Sequence, residues 1–387
     1  MRIGVCLYPT VGGSGYLGTR LGQHLADRGH EVHFITYEEP FALMWEEAQK
    51  VHVDLVDRFD YPLFESIGPP YAMALTSKIV KVARDSNLDL VHCHYAIPHA
   101  MAAYMAREIV GIPYAVTLHG SDVHTLGQDP AYRPVVRHTV ETADVVSSVS
   151  NFLRKEAHEG LFIDRQIEVI PNFIDTNRFV PTKGLKLVVE SGCVSVRREE
   201  DAEEIQPDEL VLLHASNFRK VKRVPQLIDI MHKVVDKYPN TRLVLVGDGP
   251  ARIEVERKIE KLELCHNVHL LGIKSNMSQI MASADVFLQN STMEGMPLVL
   301  LEAMSSGVPV VTTPAGGIPE LVRKGKDGIV TEGFESDEYA EAVIKVVSDD
   351  TLREKMGKAA RKRVEEGFSA EKIVPVYEKM LQSIVEE

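Results

Sequence analysis

The chain has 387 residues, 44% of them hydrophobic, and a formal net charge of −13. This length predicts two domains, and the hydrophobic share is enough for two cores. The negative charge argues against a general nucleic-acid-binding protein, although a local basic patch can still hold an anionic ligand. No apolar run approaches the roughly 20 residues of a membrane span, and the start MRIGVCLYP lacks a signal-peptide pattern. We therefore expect a cytoplasmic protein.

In the first half of the chain, short apolar runs of strand character alternate with helical patterns. This alternation is typical of a doubly wound parallel sheet. Predicted helices include Leu17–Arg28 and His99–Val110. The predicted strands are Arg2–Tyr8, Glu31–Thr36, Val51–Val56, Leu88–His94, Pro113–His119, Asp144–Ser148 and Gln166–Ile170.

The second half repeats this pattern and predicts a second sheet of the same kind. Residues 171–207 are polar and irregular, with a charge cluster at Arg197–Glu204, and are predicted to form a linker with a surface excursion. The predicted domains are therefore 1–170 and 208–367. The C-terminal residues, about 368–387, have an amphipathic helix pattern that does not determine which domain the helix packs on, and a return to the first domain is one alternative. The predicted strands are Glu209–Ala215, Arg242–Val246, Val268–Leu270, Asp285–Leu288 and Val308–Thr312.

A glycine-rich turn, Tyr8-Pro-Thr-Val-Gly-Gly-Ser-Gly15, follows the first strand and precedes a helix. Glycines at such a turn let the backbone approach a phosphate or a sugar closely. A dinucleotide site is the alternative, but it requires Gly-x-Gly-x-x-Gly, whereas the glycines here read Gly12-Gly13-x-Gly15. The turn therefore indicates a sugar or phosphate contact more than NAD binding.

Histidines cluster at the ends of two first-half strands, in His92-Cys-His94-Tyr95 and Thr117-Leu-His-Gly-Ser-Asp122. A metal site is one interpretation, but His99 and His119 complete no standard ligand spacing, and the four dispersed cysteines form no Cys-x-x-Cys pair. Polar contacts to a sugar or an acceptor are favoured. Arg137 lies one turn from Glu141 and forms either an exposed ion pair or a site for an acceptor carboxylate.

Two motifs of the second half predict a nucleotide-sugar site. Arg219-Lys-Val-Lys-Arg223 places four cations in five positions directly after a strand, where they suit a diphosphate. Glu294-Gly-Met-Pro-Leu-Val-Leu-Leu-Glu302 opens a helix whose first N–H groups suit phosphate, with Pro297 expected in its first turn. The bland alternative makes Glu294 a helix-start acid and Glu302 a solvated helix position. The position between two strand patterns favours the site.

At this point the residues carry a family resemblance across nearly the whole chain. The chain resembles the retaining GT-B glycosyltransferases of family 4, in Glu294-x7-Glu302, Val246-Gly-Asp-Gly-Pro250 and Gly316-Gly-Ile-Pro-Glu320. Further motifs, including His94-Tyr-Ala-Ile-Pro-His99 and Asn172-Phe-Ile-Asp175, are similar to the members that act on malate in bacillithiol biosynthesis. The resemblance implies two Rossmann-like doubly wound domains that face each other across a cleft.

The resemblance also implies roles for individual residues. Glu302 would bind the ribose, Glu294 the donor sugar, Lys222 the diphosphate, the backbone near Ile273 the uracil, and His119 the transferring sugar. The general family has Gly-Arg-Leu where this chain has Ser216-Asn-Phe218, so Arg219 is expected to supply the second cation. The expected catalytic residues are Lys222, Arg219, His119 and Glu294; the other donor contacts are Glu302, Gly13, Ile273, Met296, Pro297 and Leu298; the acceptor contacts are Tyr95, Arg137, Ser14, Thr10, Ser121 and Asn151.

The resemblance implies a retaining transfer of N-acetylglucosamine from UDP-N-acetylglucosamine to the hydroxyl of L-malate, without a metal or other cofactor. Alternatives are a family-4 enzyme with another acceptor, such as an inositol phosphate, a lipid-linked sugar or a polysaccharide, a nucleotide-sugar epimerase, and a non-catalytic sugar-nucleotide-binding protein. No nucleic-acid partner is expected. A homodimer is expected, because homodimers are the commonest oligomers among soluble proteins.

Overall fold

The structure, a computed structural model, describes residues 1–10, 12–44, 51–57, 71–182, 184–190, 193–198 and 209–386. The chain forms two compact units: Met1–Phe173 with the C-terminal segment from Ala370, and Ile174–Ser369. The predicted linker, 171–207, is thus divided between the units, and residues 199–204 of its charge cluster lie outside the described residues.

A seven-stranded parallel sheet is the centre of the first unit. Its strands are β1 Arg2–Cys6, β2 Glu31–Thr36, β3 Val51–Leu55, β4 Leu90–His94, β5 Tyr114–Leu118, β6 Val145–Ser148 and β7 Glu168–Val169. They lie in the order β3-β2-β1-β4-β5-β6-β7. Strands β4 and β5 are buried along their whole length, as expected of strands covered on both faces. The strand order reverses between β1 and β4, and α/β sheets bind ligands at the carboxyl ends of such strands.

The helices of this unit begin at positions set by local backbone geometry. They are α1 Gly13–Asp27, α2 Tyr71–Asp85, α3 Met101–Val110, α4 Arg133–Glu141 and α5 Asn151–Leu161. Helix α1 begins before the predicted Leu17 because a Cβ at Gly15 would lie 2.0 Å from the carbonyl oxygen of Tyr8, an approach that only glycine permits. Helix α3 begins after the predicted His99 because an irregular helical turn, Ala96–Ala100, precedes it.

The second unit contains a six-stranded parallel sheet and a separate antiparallel strand pair. The pair is β8 Leu185–Glu190 and β9 Cys193–Arg198; the sheet strands are β10 Leu210–Ser216, β11 Thr241–Gly247, β12 Val268–Gly272, β13 Val286–Gln289, β14 Val310–Thr312 and β15 Gly328–Val330. The sheet order is β12-β11-β10-β13-β14-β15. The prediction of irregular structure was wrong for β8 and β9, whose valine-rich sequences favour strands. Strand β15 was missed because three residues carry no periodic signal.

Seven helices in the described part of the second unit cover its sheet. They are α6 Val224–Val235, α7 Arg252–Lys261, α8 Met277–Ala282, α9 Leu298–Ser305, α10 Ile318–Leu321, α11 Ser336–Val347 and α12 Asp350–Gly367. Helices α6 and α11 pack together, and their apolar residues share one buried core with β10, β11 and β13. The hydroxyl of Tyr339 on α11 donates a hydrogen bond of 2.6 Å to the carbonyl of Val311, which anchors that helix to β14.

The last helix, α13 Ala370–Glu386, belongs to the first unit, where it contacts α1, β4 and β6. Its Glu378 carboxylate bonds to Arg28 at 2.7 Å and to His30 at 2.7 Å, and its Tyr377 is fully buried. The apolar face of α13 thus packs against the first sheet, although the strands of that sheet are distant from α13 in the sequence. None of the helices in the described ranges combines the length and the apolar character needed to cross a membrane.

Candidate active site

Glycines bring the loops at the carboxyl edge of the second sheet together. A Cβ on Gly247 would lie 1.8 Å from the carbonyl oxygen of Ser216, so β10 and β11 end in contact because glycine stands there. A Cβ on Gly316 would lie 1.9 Å from the carbonyl oxygen of Glu294. That oxygen accepts a hydrogen bond of 3.0 Å from the N–H of Gly317. The loops after β13 and β14 therefore meet at the edge where α/β sheets bind ligands.

Lys222 and Glu294, both predicted donor-site residues, contact each other at this edge. The Nζ of Lys222 lies 2.6 Å from Oε1 of Glu294, and the two side chains are 18% and 9% exposed. The N–H of Thr292 donates a 2.8 Å hydrogen bond to the carbonyl of Val221 and ties the two loops together. Because both charges are largely shielded from water, each acts strongly on the other and on any ion beside them. This burial and the contact with Lys222 argue against the alternative interpretation of Glu294 as a helix-start acid.

Gln289 is a site residue that the sequence analysis missed. It is the last residue of β13 and is fully buried. Its Nε2 donates hydrogen bonds to Oε1 of Glu294 at 2.6 Å and to Oγ of Ser291 at 2.9 Å. A hydrogen bond to a carboxylate is stronger than one between neutral groups, so Gln289 orients Glu294. Its only sequence signal is a polar residue that ends an otherwise apolar strand.

The basic loop departs from the family sequence pattern, and hydrogen bonds of Ser216 hold its beginning in place. Oγ of Ser216, at the family's glycine position, accepts a hydrogen bond of 3.3 Å from the N–H of Phe218 and bonds to Nε2 of His214 at 2.9 Å. Phe218 is fully buried, although its φ of 39° is uncommon for a residue with a side chain. Arg219 follows it and is exposed. Its role as the second cation stays a prediction.

Helix α9 carries Glu302 at the same edge of the sheet. Pro297 is the residue just before the helix rather than within its first turn, so that part of the prediction was wrong by one position. A proline has no N–H to lose there, and Leu298 and Val299 begin the helix. Glu302 is only 8% exposed, so it is not a solvated helix position. Met296 and Leu298, which flank Pro297, are buried. Ile273, which follows β12, is 58% exposed.

In the first unit, polar side chains meet where β4 and β5 end. Nδ1 of His94 and Nε2 of His119 share a hydrogen bond of 2.9 Å. The ring of Tyr95 stacks on His119 with centroids 5.9 Å apart, and its hydroxyl bonds to Oγ of Ser121. Tyr95 has a φ of 107°, a strained value for a non-glycine residue. Three predicted site residues, Tyr95, His119 and Ser121, therefore form one group.

Asp122 shapes this group, a role that the sequence analysis did not assign. Its carboxylate accepts hydrogen bonds from the N–H of Gly120 at 2.8 Å and from the N–H of His119 at 3.2 Å. Gly120 has a φ of 137°, which favours glycine. Burial raises the pKa of Asp122 to about 6, against the opposing effect of these N–H groups. Asp122 therefore sets the turn that presents His119.

The imidazoles of His92, His94 and His99 are fully buried, that of His119 is half-buried, and all four are neutral. Burial lowers the pKa of His92 and of His119 to about 3 and that of His99 to about 4. The pKa of His94 is also lowered, first by burial and then by its histidine neighbours. Within the described ranges, none of these four belongs to a group of side chains spaced as metal ligands. That the reaction needs no metal stays a prediction.

The glycine turn leaves space in front of α1. Gly12 and Gly13 have φ values of 85° and 63°, and among the described residues a Cβ on either would meet nothing within 4 Å. Thr10 is exposed and Ser14 is half-buried. The contact of this turn with a ligand group stays a prediction.

The two remaining predicted acceptor residues have partners on their own helices. Nε of Arg137 lies 3.0 Å from Oε1 of Glu141, and the side chains are 41% and 32% exposed. Asn151, the first residue of α5, accepts a hydrogen bond of 2.9 Å from Arg154. Helix α4 contacts the turn Ala96–Ala100 that follows Tyr95. The predicted ion pair between Arg137 and Glu141 is therefore present. The role of Arg137 in binding the acceptor stays a prediction.

The two doubly wound units, each with polar groups at the carboxyl ends of its strands, have the fold of the GT-B glycosyltransferases. A solved glycosyltransferase from Rickettsia africae matches with a TM-score of 0.79 at 19% identity, covering 100% of this chain and 99% of that one. HepE from Anabaena, solved with UDP and glucose, also matches with a TM-score of 0.79, at 22% identity over 99% and 100% of the two chains.

The chain belongs to glycosyltransferase family 4. Residues 11–178 match the model of "Glycosyltransferase Family 4", and residues 195–363 match that of "Glycosyl transferases group 1". The N-acetyl-alpha-D-glucosaminyl L-malate synthase of Bacillus anthracis is 39% identical over 393 residues, which cover 100% of this chain and 98% of the relative. The sulfoquinovosyl transferase SQD2 of Arabidopsis thaliana is 25% identical over 89% of this chain and 65% of its own length.

Proposed function

We propose that this protein transfers N-acetylglucosamine from UDP-N-acetylglucosamine to the hydroxyl of L-malate, with retention of configuration. The observation that carries the proposal is the 39% identity, over the full chain, with a synthase named for this product. The shielded pair of Lys222 and Glu294 supports it, since a sugar-diphosphate donor offers an anion for the first and hydroxyls for the second.

On the donor side, the diphosphate lies against Lys222, the exposed Arg219 and the first N–H groups of α9. Glu302 accepts hydrogen bonds from the ribose hydroxyls, and Glu294 accepts them from the sugar. Negative charge grows on the diphosphate as the glycosidic bond breaks. An ammonium already held in place, 2.6 Å from its carboxylate partner, stabilises that charge without reorganising. We propose this as the main contribution to the rate.

The proposed reaction forms no covalent sugar–enzyme intermediate. The bond from the anomeric carbon to the diphosphate breaks, the malate hydroxyl attacks from the same face, and a diphosphate oxygen takes the hydroxyl proton. Oε1 of Glu294 accepts hydrogen bonds from Lys222 and Gln289, and these hold the carboxylate in position to accept hydrogen bonds from the sugar hydroxyls. The group of Tyr95, His119 and Ser121 offers hydroxyls and a neutral imidazole to the sugar and the acceptor.

The experiment that tests this function is UDP release from UDP-N-acetylglucosamine, with and without L-malate, in the presence of EDTA. Release that depends on malate and persists in EDTA is expected. Release without an acceptor would indicate hydrolysis or an epimerase-like activity. Donor binding without release would contradict malate as the acceptor and would favour another family-4 acceptor.

Replacing Glu302 by alanine is expected to weaken UDP binding about 10²-fold, because two hydrogen bonds that the ribose hydroxyls donate to a buried carboxylate are lost. Turnover at saturating donor should fall much less. Isothermal titration with UDP measures the first effect, and initial rates measure the second. Glu302→Gln keeps one acceptor oxygen, so its affinity for UDP should lie between those of the wild type and Glu302→Ala. Unchanged UDP affinity in Glu302→Ala would remove this residue from the ribose site.

Replacing Arg137 by alanine is expected to raise the KM for malate at least about tenfold and to leave UDP affinity unchanged, because a guanidinium pairs well with a carboxylate. Initial rates at saturating donor measure this effect. Glu141→Gln is the matched control, since it removes the 3.0 Å ion pair but keeps the guanidinium. A rise in KM in both variants would assign Arg137 to the stability of α4 instead. A cytoplasmic location and a homodimer stay predictions.

A further inference from the structure

Two histidines and two carboxylates lie together on β3, an edge strand of the first sheet, and on its neighbour β2. They lie away from the groups of the proposed reaction. Glu31 and His33 are two residues apart on β2, and His52 and Asp54 are two residues apart on β3. Residues so spaced share one face of a strand, and the register pairs His33 directly with His52. The parallel sheet therefore places all four side chains on one face.

The side-chain contacts bring three ligand atoms toward one point. Nε2 of His33 lies 3.2 Å from Oε1 of Glu31, and Nε2 of His52 lies 4.0 Å from the same oxygen. The three side chains place one ligand atom each within 4.8 Å of one another. The two imidazoles are stacked, with centroids 4.5 Å apart and an interplanar angle of 17°. Ligands about 2.1 Å from a tetrahedral Zn²⁺ lie about 3.4 Å apart, and an imidazole binds a metal in the plane of its ring, so the exposed His52 must turn out of the stack to complete the set.

Asp54 gives this group a feature of metal sites. Its carboxylate bonds to Nδ1 of His33 at 2.8 Å. A carboxylate on one ring nitrogen fixes the tautomer that leaves the other nitrogen to bind a metal, and it makes that nitrogen more basic. His33 is only 6% exposed at its side chain, whereas His52 is 60% exposed. One ligand is thus rigidly held, and the other faces solvent, from which an ion enters.

We propose that Glu31, His33 and His52 form a binding site for a divalent transition-metal ion, with Asp54 orienting His33. Two imidazoles and a carboxylate suit Zn²⁺, and solvent supplies the remaining position. Strand β3 is the last strand of its sheet. The ion joins this edge strand to β2 and stabilises the folded first unit, because it binds the folded chain only. Glu31 is the first residue of β2, whereas His119 follows the carboxyl end of the parallel β5, so the site is distinct from the proposed catalytic groups.

The test is a Zn²⁺ titration of the untagged full chain, stripped with EDTA and desalted, against a chromophoric chelator. The wild type is expected to bind about one Zn²⁺ per chain and to melt at a higher temperature with Zn²⁺ than without. His52→Gln should weaken binding at least about tenfold, and Asp54→Asn should weaken it about 10- to 100-fold although it removes no ligand. Co²⁺ should show the visible absorption of a four- or five-coordinate site in the wild type and not in the ligand variant His52→Gln.

His232→Gln is the matched control, since it removes an exposed histidine on α6 and should change nothing. Glu31→Gln is a second ligand variant in case His52→Gln does not fold, as judged by circular dichroism. Equal Zn²⁺ affinity in the wild type and both ligand variants would overturn the proposal, as would equal losses in the control. Because the readouts are binding and melting, they are independent of the transferase assay.

Discussion

Replacing Lys222 by alanine is expected to slow sugar transfer by about 10²- to 10³-fold while changing donor affinity by less than about threefold. The ammonium lies 2.6 Å from Glu294, and its side chain is 18% exposed. A charge held in such a shielded place interacts most strongly with the diphosphate when that group carries its full leaving charge. Removing it therefore affects the transition state far more than the bound donor. Single-turnover rates and titration with UDP-N-acetylglucosamine in the absence of malate separate the two effects.

Lys220→Ala is the matched control for this prediction. Lys220 lies in the same helical turn and is exposed, so its loss should leave the rate within about twofold. Circular dichroism should show that Lys222→Ala keeps its fold, although it leaves Glu294 without this partner. Equal rates in the two variants would exclude Lys222 from the mechanism. A loss confined to donor affinity would make Lys222 a binding residue only.

The first unit is expected to lose several kcal/mol of unfolding free energy between pH 6.5 and 5. His92, His99 and His119 have pKa values of about 3, 4 and 3 in the folded chain, all lowered by burial. Unfolding returns each to about 6.5, so below that pH the unfolded chain binds protons that the folded chain does not. Each imidazole then contributes a loss of about 2 kcal/mol by pH 5. Stability is thus fully present above pH 6.5 and falls as the pH falls.

Other groups also enter this balance. The lowered pKa values of His94 and His124 add losses of the same sign. The raised pKa of Asp122, about 6, has the opposite sign, since the folded chain takes up that proton first and recovers about 1 kcal/mol by pH 5, and the raised pKa of His33 acts in the same direction. In the second unit, burial lowers the pKa of His214 to about 4 and also lowers that of His269, and each contributes a loss. The first unit should therefore unfold before the second as the pH falls.

Urea unfolding from pH 5 to 8, with hydrogen exchange of the β4–β5 and β10–β13 peptides, measures this difference. His99→Asn keeps a donor for the 2.8 Å hydrogen bond to the carbonyl of His94 but removes one titrating group. This variant should reduce the slope of the unfolding free energy against pH by the equivalent of about one proton. His232→Gln, which removes an exposed histidine, should leave the slope of the first unit unchanged. A pH-independent stability in the wild type would contradict the neutral state of these imidazoles.

Much of the fold was predictable, because buried parallel strands carry a strong local signal. All seven strands of the first sheet were predicted, among them β4, which is buried along its whole length. The strands that failed were β8, β9 and β15. The last has three residues, Gly328–Val330, and it exists because Val310–Thr312 pairs with it. Pairing with a distant segment leaves no periodic pattern in so short a stretch.

The site was predictable in its residue types but less so in its contacts. Glu294, Lys222 and His119 all follow strands, and polar residues at strand ends are a local signal. Gln289 and Asp122 were missed because a buried amide or acid is informative only when its hydrogen-bond partner is known. The pairing of His33 with His52 was invisible for the same reason, since it depends on the register of β2 against β3.

The sequence by itself determined the doubly wound class, the family and the strand ends that carry the polar residues, because strand period, glycine turns and local motifs are properties of neighbouring residues. Only the tertiary structure decided that Lys222 contacts Glu294, 72 residues away, and that α13 packs on β4 and β6. It also decided that the imidazoles of His92, His94, His99 and His119 are neutral, because their pKa values are lowered by what packs around them. Contacts between distant segments set burial and ion pairing, and a short stretch of sequence carries no record of what will lie against it.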